Sequence, residues 1–345
     1  MSPFIYFYML CMLFAFGGTA SVPFVMTWML FLLPVGLSVF WSLDIEYGMT
    51  KAVNLVVTTS LSLCLILSAI ERSSWLIVQR VLLAMLTGLL VLAVLYKLRA
   101  GFFDRDVPFF INGPIVFGRL MSIAAILSAF VLRGFARVVA VTVFGLAVIW
   151  TASKGPLLGL VGLLSLIAFV RANWLGRALI VLVPVTGAAL LLTGVWTLEY
   201  DGSNRLLVVA DLVLSGGNLF SDAGPLGGRI GLYRESMSLI LAKPFGVGLG
   251  GWELAVTENY GLYYPHNFFL ELFSECGFVF GAIALVPFLA FTVTRFNAAG
   301  ACALFLLIAQ QVSGDLLDAR YLLLMSLLAV WLEKNKFSGA KDLQS

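Results

Sequence analysis

The sequence predicts an all-α polytopic membrane protein with about eleven transmembrane helices and one large external loop carrying an amphipathic helix. Three observations predict it. Hydrophobic residues make up 61% of the 345 and charged residues 11%, with a mean hydropathy of +1.04, which excludes a soluble fold. The apolar residues fall into runs near the length a bilayer requires. The charges between those runs sort by sign onto alternate sides.

Taken in order, the runs give spans at about 4–18, 22–42, 52–70, 76–97, 115–132, 137–152, 155–170, 178–197, 267–293, 298–313 and 319–332. The apolar start from Phe4 to Phe16 has no charged leader and no small-residue cleavage site, so it reads as a retained span. One set of alternate loops, with the C-terminus, holds Arg72, Arg80, Arg133, Arg137, Arg171, Arg177, Arg295, Lys334, Lys336 and Lys341 against Glu71, Glu333 and Asp342. That set is cytoplasmic by the excess of Lys and Arg, and the opposite loops, rich in Asp and Glu, lie outside. Cys11, Cys64, Cys276 and Cys302 all fall in apolar segments and read as small buried hydrophobes rather than a disulfide framework or a zinc cluster. No basic tail or low-complexity tract points to nucleic acid.

The connection from about Glu199 to Pro265 is the one polar, glycine-rich module, on the outer side. Within it, residues Arg229 to Ala242 show apolar side chains near a 3.6 period, an amphipathic helix that Lys243-Pro244 ends. The following Gly246-Val247-Gly248-Leu249-Gly250-Gly251 matches GxGxxG, but no βαβ pattern surrounds it. It reads as a turn that lets backbone approach a ligand or the bundle.

The single histidine, His266, stands at the head of the apolar span 267–293. Histidine is the side chain whose ordinary pKa lets it exchange a proton near neutrality. Asn267 reads as the helix cap, and Glu271 and Glu275 share a face at i and i+4, either neutralising nearby cations or reacting. Basic residues recur at outer helix ends: Arg119, Lys154 and Arg320, joined by Arg229 and Arg234 from the loop. Together they suit a di-anionic or polyanionic ligand. The plainer alternative pairs Arg119 with Asp104 or Asp106 and Arg320 with Asp315 or Asp318, and lets Lys154 snorkel. Tyr260, Tyr263, Tyr264 and Trp252 form either an interfacial aromatic belt or a stacking surface for a sugar ring.

The run His266-Asn267-x-x-Leu270-Glu271-x-x-x-Glu275-x-Gly277, preceded by an Arg229-headed helix and a Gly-x-Gly turn, resembles the O-antigen ligase and polysaccharide polymerase superfamily of bacterial inner-membrane proteins. Thr151-Ala152-Ser153-Lys154-Gly155-Pro156 is similar to that family's Thr-x-Ser-Arg-Gly element, with lysine in place of arginine, which keeps the charge and loses the bidentate fork. The likeness covers residues 115–295, a core containing the external loop 199–265, flanked by helices in 1–114 and by helices and a short tail in 296–345.

What the resemblance implies is a glycosyltransferase of the C-type membrane architecture, with its site facing the periplasm and its donor a glycan on undecaprenyl diphosphate. His266 and Arg229 would be catalytic; Lys154, Arg119, Arg234, Arg320, Asn267, Glu271, Glu275 and Tyr264 would bind diphosphate or glycan. Inversion at the anomeric carbon is expected, with no metal and no cofactor. A chain-length regulator or flippase of the same pathway is an expected partner. The Tyr-Pro-His-Asn-x-x-Leu-Glu form is closer to the polymerases, which join repeat units, than to the ligases, which transfer the finished glycan to lipid A core. A transporter or flippase is the reading from another class, but paired broken helices in two matching halves are missing, as is an ionisable residue near the middle of a span.

Overall fold

The computed structural model describes residues 30–31, 33–55, 57, 62, 74–102, 104, 107–110, 113–171, 173, 227–256, 262–294 and 296–341. Every regular element among them is helical. After helical residues 33–38, a 3-10 turn at Val39–Trp41 and helical residues 45–55 come α1 (Trp75–Ala100), α2 (Pro114–Val131), α3 (Gly134–Trp150) and α4 (Lys154–Arg171). Then follow α5 (Gly227–Ala242), the one-turn α6 (Trp252–Ala255), α7 (Phe268–Leu289, continued by a 3-10 turn Ala290–Val293), α8 (Ala298–Ser313) and α9 (Ala319–Lys341).

The helix ends follow local chemistry. Pro114 occupies the first turn of α2, where its missing N–H costs nothing. Ser74, Asn267 and Asn297 cap α1, α7 and α8 by accepting from the backbone N–H three residues on. Among the described residues, three helices are long and apolar enough to cross a membrane: Trp75–Ala100, Pro114–Val131 and Phe268–Val293. Gly134–Trp150, Gly155–Ile167 and Ala298–Gln311 are shorter apolar helices. Each of these matches an expected span, while the spans expected at 4–18 and 178–197, part of that at 22–42, most of that at 52–70, and loop residues 199–226 lie outside the described residues.

Helices α2, α4, α8 and α9 supply much of the centre, packed through Phe117, Met121, Ala124, Leu163, Ala303, Phe305, Ala309, Leu323 and Leu327. At Gly159 the approach of α4 to α8 is so close that a Cβ would meet the Phe305 ring at 3.0 Å. Small residues at such seams are how helices pack where lipid offers no hydrophobic drive. Cys276 and Cys302 are buried free thiols within this apolar packing. The starts of α2, α4, α7 and α9 and the ends of α3 and α8 gather at one end of the bundle, and the motif-bearing residues are found there.

Candidate functional site

Helix α7 is two helical pieces joined at Gly277, whose φ of 78° and ψ of 173° belong to a region only glycine occupies readily. Into this break docks the glycine turn. Val247 N–H donates to Ser274 O and Gly248 N–H to Glu275 O, each at 2.9 Å, and Phe278 N–H donates back to Pro244 O at 2.9 Å. Gly246, Gly248 and Gly250 all have φ between 73° and 83°. A Cβ at Gly246 would sit 2.6 Å from Glu275 C, and one at Gly248 2.8 Å from Ser42 Cβ. The GxGxxG run is therefore a close-approach turn against the bundle. Its other side is held by the N-terminal segment: Leu43 N–H donates to Val247 O at 3.1 Å, and Ser42 Oγ to Leu249 O at 2.7 Å.

The first piece of α7 carries His266-Asn267 at its head. Asn267 Oδ1 accepts from Leu270 N–H at 3.1 Å while its Nδ2 donates to Gln311 O at 3.0 Å. That same carbonyl accepts from Tyr233 Oη at 3.2 Å, so α5 and α8 meet at the histidine end of α7. His266 is half-buried in a left-handed backbone conformation (φ 57°), with the Tyr264 ring edge-on at 4.6 Å. Non-glycine residues in that region cost energy and concentrate at functional sites. Burial, with Asp315 and Glu271 nearby, pushes the Tyr264 phenol upward, so it stays protonated and can donate. Ala152 (φ 48°), within the Thr151-to-Pro156 element, is also left-handed.

That element closes the α3–α4 connection. Thr151 Oγ1 donates to Val148 O at 2.7 Å, and Thr151 and Ser153 are buried. Pro156 and Thr151 press on Gly118 so closely that a Cβ there would lie 3.1 Å from Pro156 Cγ. The connection that leads into Lys154, the first residue of α4, thus packs on the turn of α2 that bears Arg119. Arg119 is 4% exposed and ion-paired to Asp318, a partner outside the two weighed from sequence. Asp318 in turn is fixed by its N–H to Asp315 Oδ1 at 2.7 Å and by Gln310 Nε2 on its carbonyl at 2.9 Å. Burial and the Asp318 charge push the Asp315 carboxyl upward.

Below the histidine, Glu271 and Glu275 are fully buried around Lys51, itself 1% exposed. Lys51 Nζ pairs with Glu271 Oε1 and donates to Glu275 Oε1 and Oε2 at 2.8 and 2.7 Å. Leu316 N–H donates to Glu271 Oε2 at 2.8 Å. The cation these acids neutralise is Lys51, which the sequence reasoning passed over. Two acids at i and i+4 on an otherwise apolar helix face demand a buried cation, and a lone lysine heading an apolar run was the available signal.

The remaining basic residues lie on α5 and at the start of α9. Arg229 lies in the first turn of α5, one helical turn before Tyr233. Arg234 is exposed on the same helix, and Arg320 sits over the Tyr321 ring at 5.0 Å. Trp252 corrects the aromatic reading, since it is fully buried and its Nε1 donates to Ser236 Oγ at 2.9 Å, neither belt nor sugar platform. Tyr263 is 55% exposed and packs on Tyr47 at 5.2 Å, while Tyr260 lies outside the described residues.

Residues 138–286 match the model of the family described as O-antigen ligase, a stretch that includes Lys154, Arg229, His266, Asn267, Glu271 and Glu275. No curated protein and no solved structure matches the chain.

Proposed function

We propose, from the match of residues 138–286 to the model of the family described as O-antigen ligase, that this chain belongs to the O-antigen ligase and polymerase superfamily and is a membrane glycosyltransferase. It polymerises oligosaccharide repeat units carried on undecaprenyl diphosphate, at the periplasmic face of a bacterial inner membrane. An acceptor hydroxyl attacks the anomeric carbon of the donor sugar; the new C–O bond forms as the bond to the lipid diphosphate breaks, with inversion. His266 takes the hydroxyl proton, and the diphosphate leaves with the bonding electron pair. Arg229 and Lys154 offset the charge on that leaving group, a role a metal fills in other enzymes, and Arg119, Arg234 and Arg320 support them.

The observation that supports this reading is convergence. The Thr151-to-Pro156 turn packs on Gly118 beside Arg119, Arg119 pairs with Asp318, which Gln310 bonds, and Tyr233 of α5 and Asn267 both donate to Gln311 O. Tyr264 lies against His266 and is a ready hydroxyl donor to a glycan. The second reading, transfer of the finished glycan to lipid A core, is favoured by the description of the matching family as O-antigen ligase.

The full chain in proteoliposomes with undecaprenyl-diphosphate-linked repeat unit separates the two. A ladder growing by one repeat unit without any other acceptor establishes the polymerase. Product only when lipid A core is added establishes the ligase. No product under either condition overturns both.

A further inference from the structure

The end of α7 headed by His266 is a helical piece of nine residues, Phe268 to Cys276, before the break at Gly277, too short to hold its own direction. Three contacts aim it. One is the Asn267 bond to Gln311 O, and another is the docked glycine turn on the Ser274 and Glu275 carbonyls. The third is Lys51, inserted between Glu271 and Glu275 from helical residues 45–55.

Lys51 has three N–H donors, and the structure gives three acceptors, Glu271 Oε1, Glu275 Oε1 and Glu275 Oε2. None is left for a substrate. The second oxygen of Glu271 is held by Leu316 N–H, in the turn that also carries Asp315 and Asp318, and Glu275 accepts a backbone bond from Gly250. One ammonium thereby joins the N-terminal segment, α7, the glycine turn and the α8–α9 turn. A buried ion cluster is often no more stable than apolar side chains of the same volume, so stability alone does not account for it. Its effect is geometric, because it fixes the rotation and depth of the piece that ends in His266.

We infer that Lys51, outside the family-matched stretch 138–286, is a positioning residue of the reaction centre. By clamping Glu271 and Glu275 it sets the placement of His266 against the acceptor hydroxyl. The inference rests on the proposed role of His266.

The test uses full-length protein in proteoliposomes with lipid-linked donor, comparing Lys51→Met, Lys51→Arg and the neutral triple variant Lys51→Met/Glu271→Gln/Glu275→Gln, with His266→Ala as control. Misplacement of a catalytic group by about 1 Å costs on the order of a hundredfold. Lys51→Met should therefore lose about that much kcat, with the donor KM within about threefold of wild type and Lys51→Arg intermediate. The triple variant, which has no uncompensated charge, should recover the unfolding temperature while staying slow. Recovery of wild-type kcat along with stability would make Lys51 a charge-balancing residue and overturn the proposal. So would a rise in donor KM at unchanged kcat. If His266→Ala turns over normally, the reading beneath the proposal fails, and a kcat loss in Lys51→Met beside it would show that Lys51 does not act through His266.

Discussion

Gly277→Ala puts the docked break of α7 to a direct test. Gly277 has φ 78° and ψ 173°, where a residue with a side chain is strained by about 1–3 kcal/mol. The added Cβ would also lie 2.5 Å from Phe245 Cα and 2.5 Å from Pro244 O, both backbone atoms that no rotamer change can move aside. Relief requires the 244–251 turn to lift. Lifting it breaks the bonds Val247 N–H to Ser274 O, Gly248 N–H to Glu275 O and Phe278 N–H to Pro244 O, each 2.9 Å long. At about 0.5–1.5 kcal/mol per bond, and with the strain added, the total comes to about 2.5–7.5 kcal/mol. Thermal unfolding in detergent should fall by several degrees, and under the proposed function glycan transfer should fall with it, because the turn holds Ser274 and Glu275 on the piece of α7 headed by His266. Gly145→Ala on α3 is the control: nothing lies within 4 Å of its added Cβ, and stability should stay level or rise by up to about 1 kcal/mol. A Gly277→Ala protein as stable and active as the Gly145→Ala protein would refute the broken-helix docking.

Asp318→Asn takes the counter-charge from the Arg119 guanidinium, which is 4% exposed, and should cost about 3 kcal/mol, whereas Arg119→Met leaves a carboxylate that is 28% exposed and should cost less; unfolding in detergent compares the two. Asn267→Ala removes both the α7 cap and the donor to Gln311 O and should cost about 1–2 kcal/mol, while Asn267→Asp restores only the cap; the order wild type, Asp, Ala in unfolding temperature checks it. Arg229→Ala should lose most transfer activity in folded, membrane-inserted protein, and Lys154→Arg, which regains a bidentate fork, should keep or improve it in the proteoliposome assay.

Helix positions were largely legible, because the spans 76–97, 115–132, 137–152, 155–170, 267–293 and 298–313 are marked by apolar run length and by cap residues such as Asn267 and Asn297. The motif turns were legible too: the bundle-approach reading of the glycine run and the capping role of Asn267 follow from residue chemistry alone. Pairings across the chain were not. Lys51 meets Glu271 across 220 residues and Arg119 meets Asp318 across 199, and hydropathy carries no signal for which buried charge finds which. Arg119 had nearer acids to be paired with, and the break at Gly277, where the glycine turn docks, reads in sequence as one more helical glycine. Trp252 was misread for the same reason, since an aromatic residue near an interface looks alike whether it faces lipid or, as here, buries its indole against Ser236.

The most direct measurement is the transfer rate of purified His266→Ala with lipid-linked donor, across pH, beside wild type. General-base assistance is worth about a hundredfold to ten-thousandfold, so the variant should lose at least about a hundredfold in kcat while folding normally. Wild type should slow at acid pH with one titration, as protonation removes the base, the variant should lack that titration, and a chelator should change neither. Near-normal turnover by His266→Ala, with the acid limb intact, would contradict the assignment of the acceptor proton to His266.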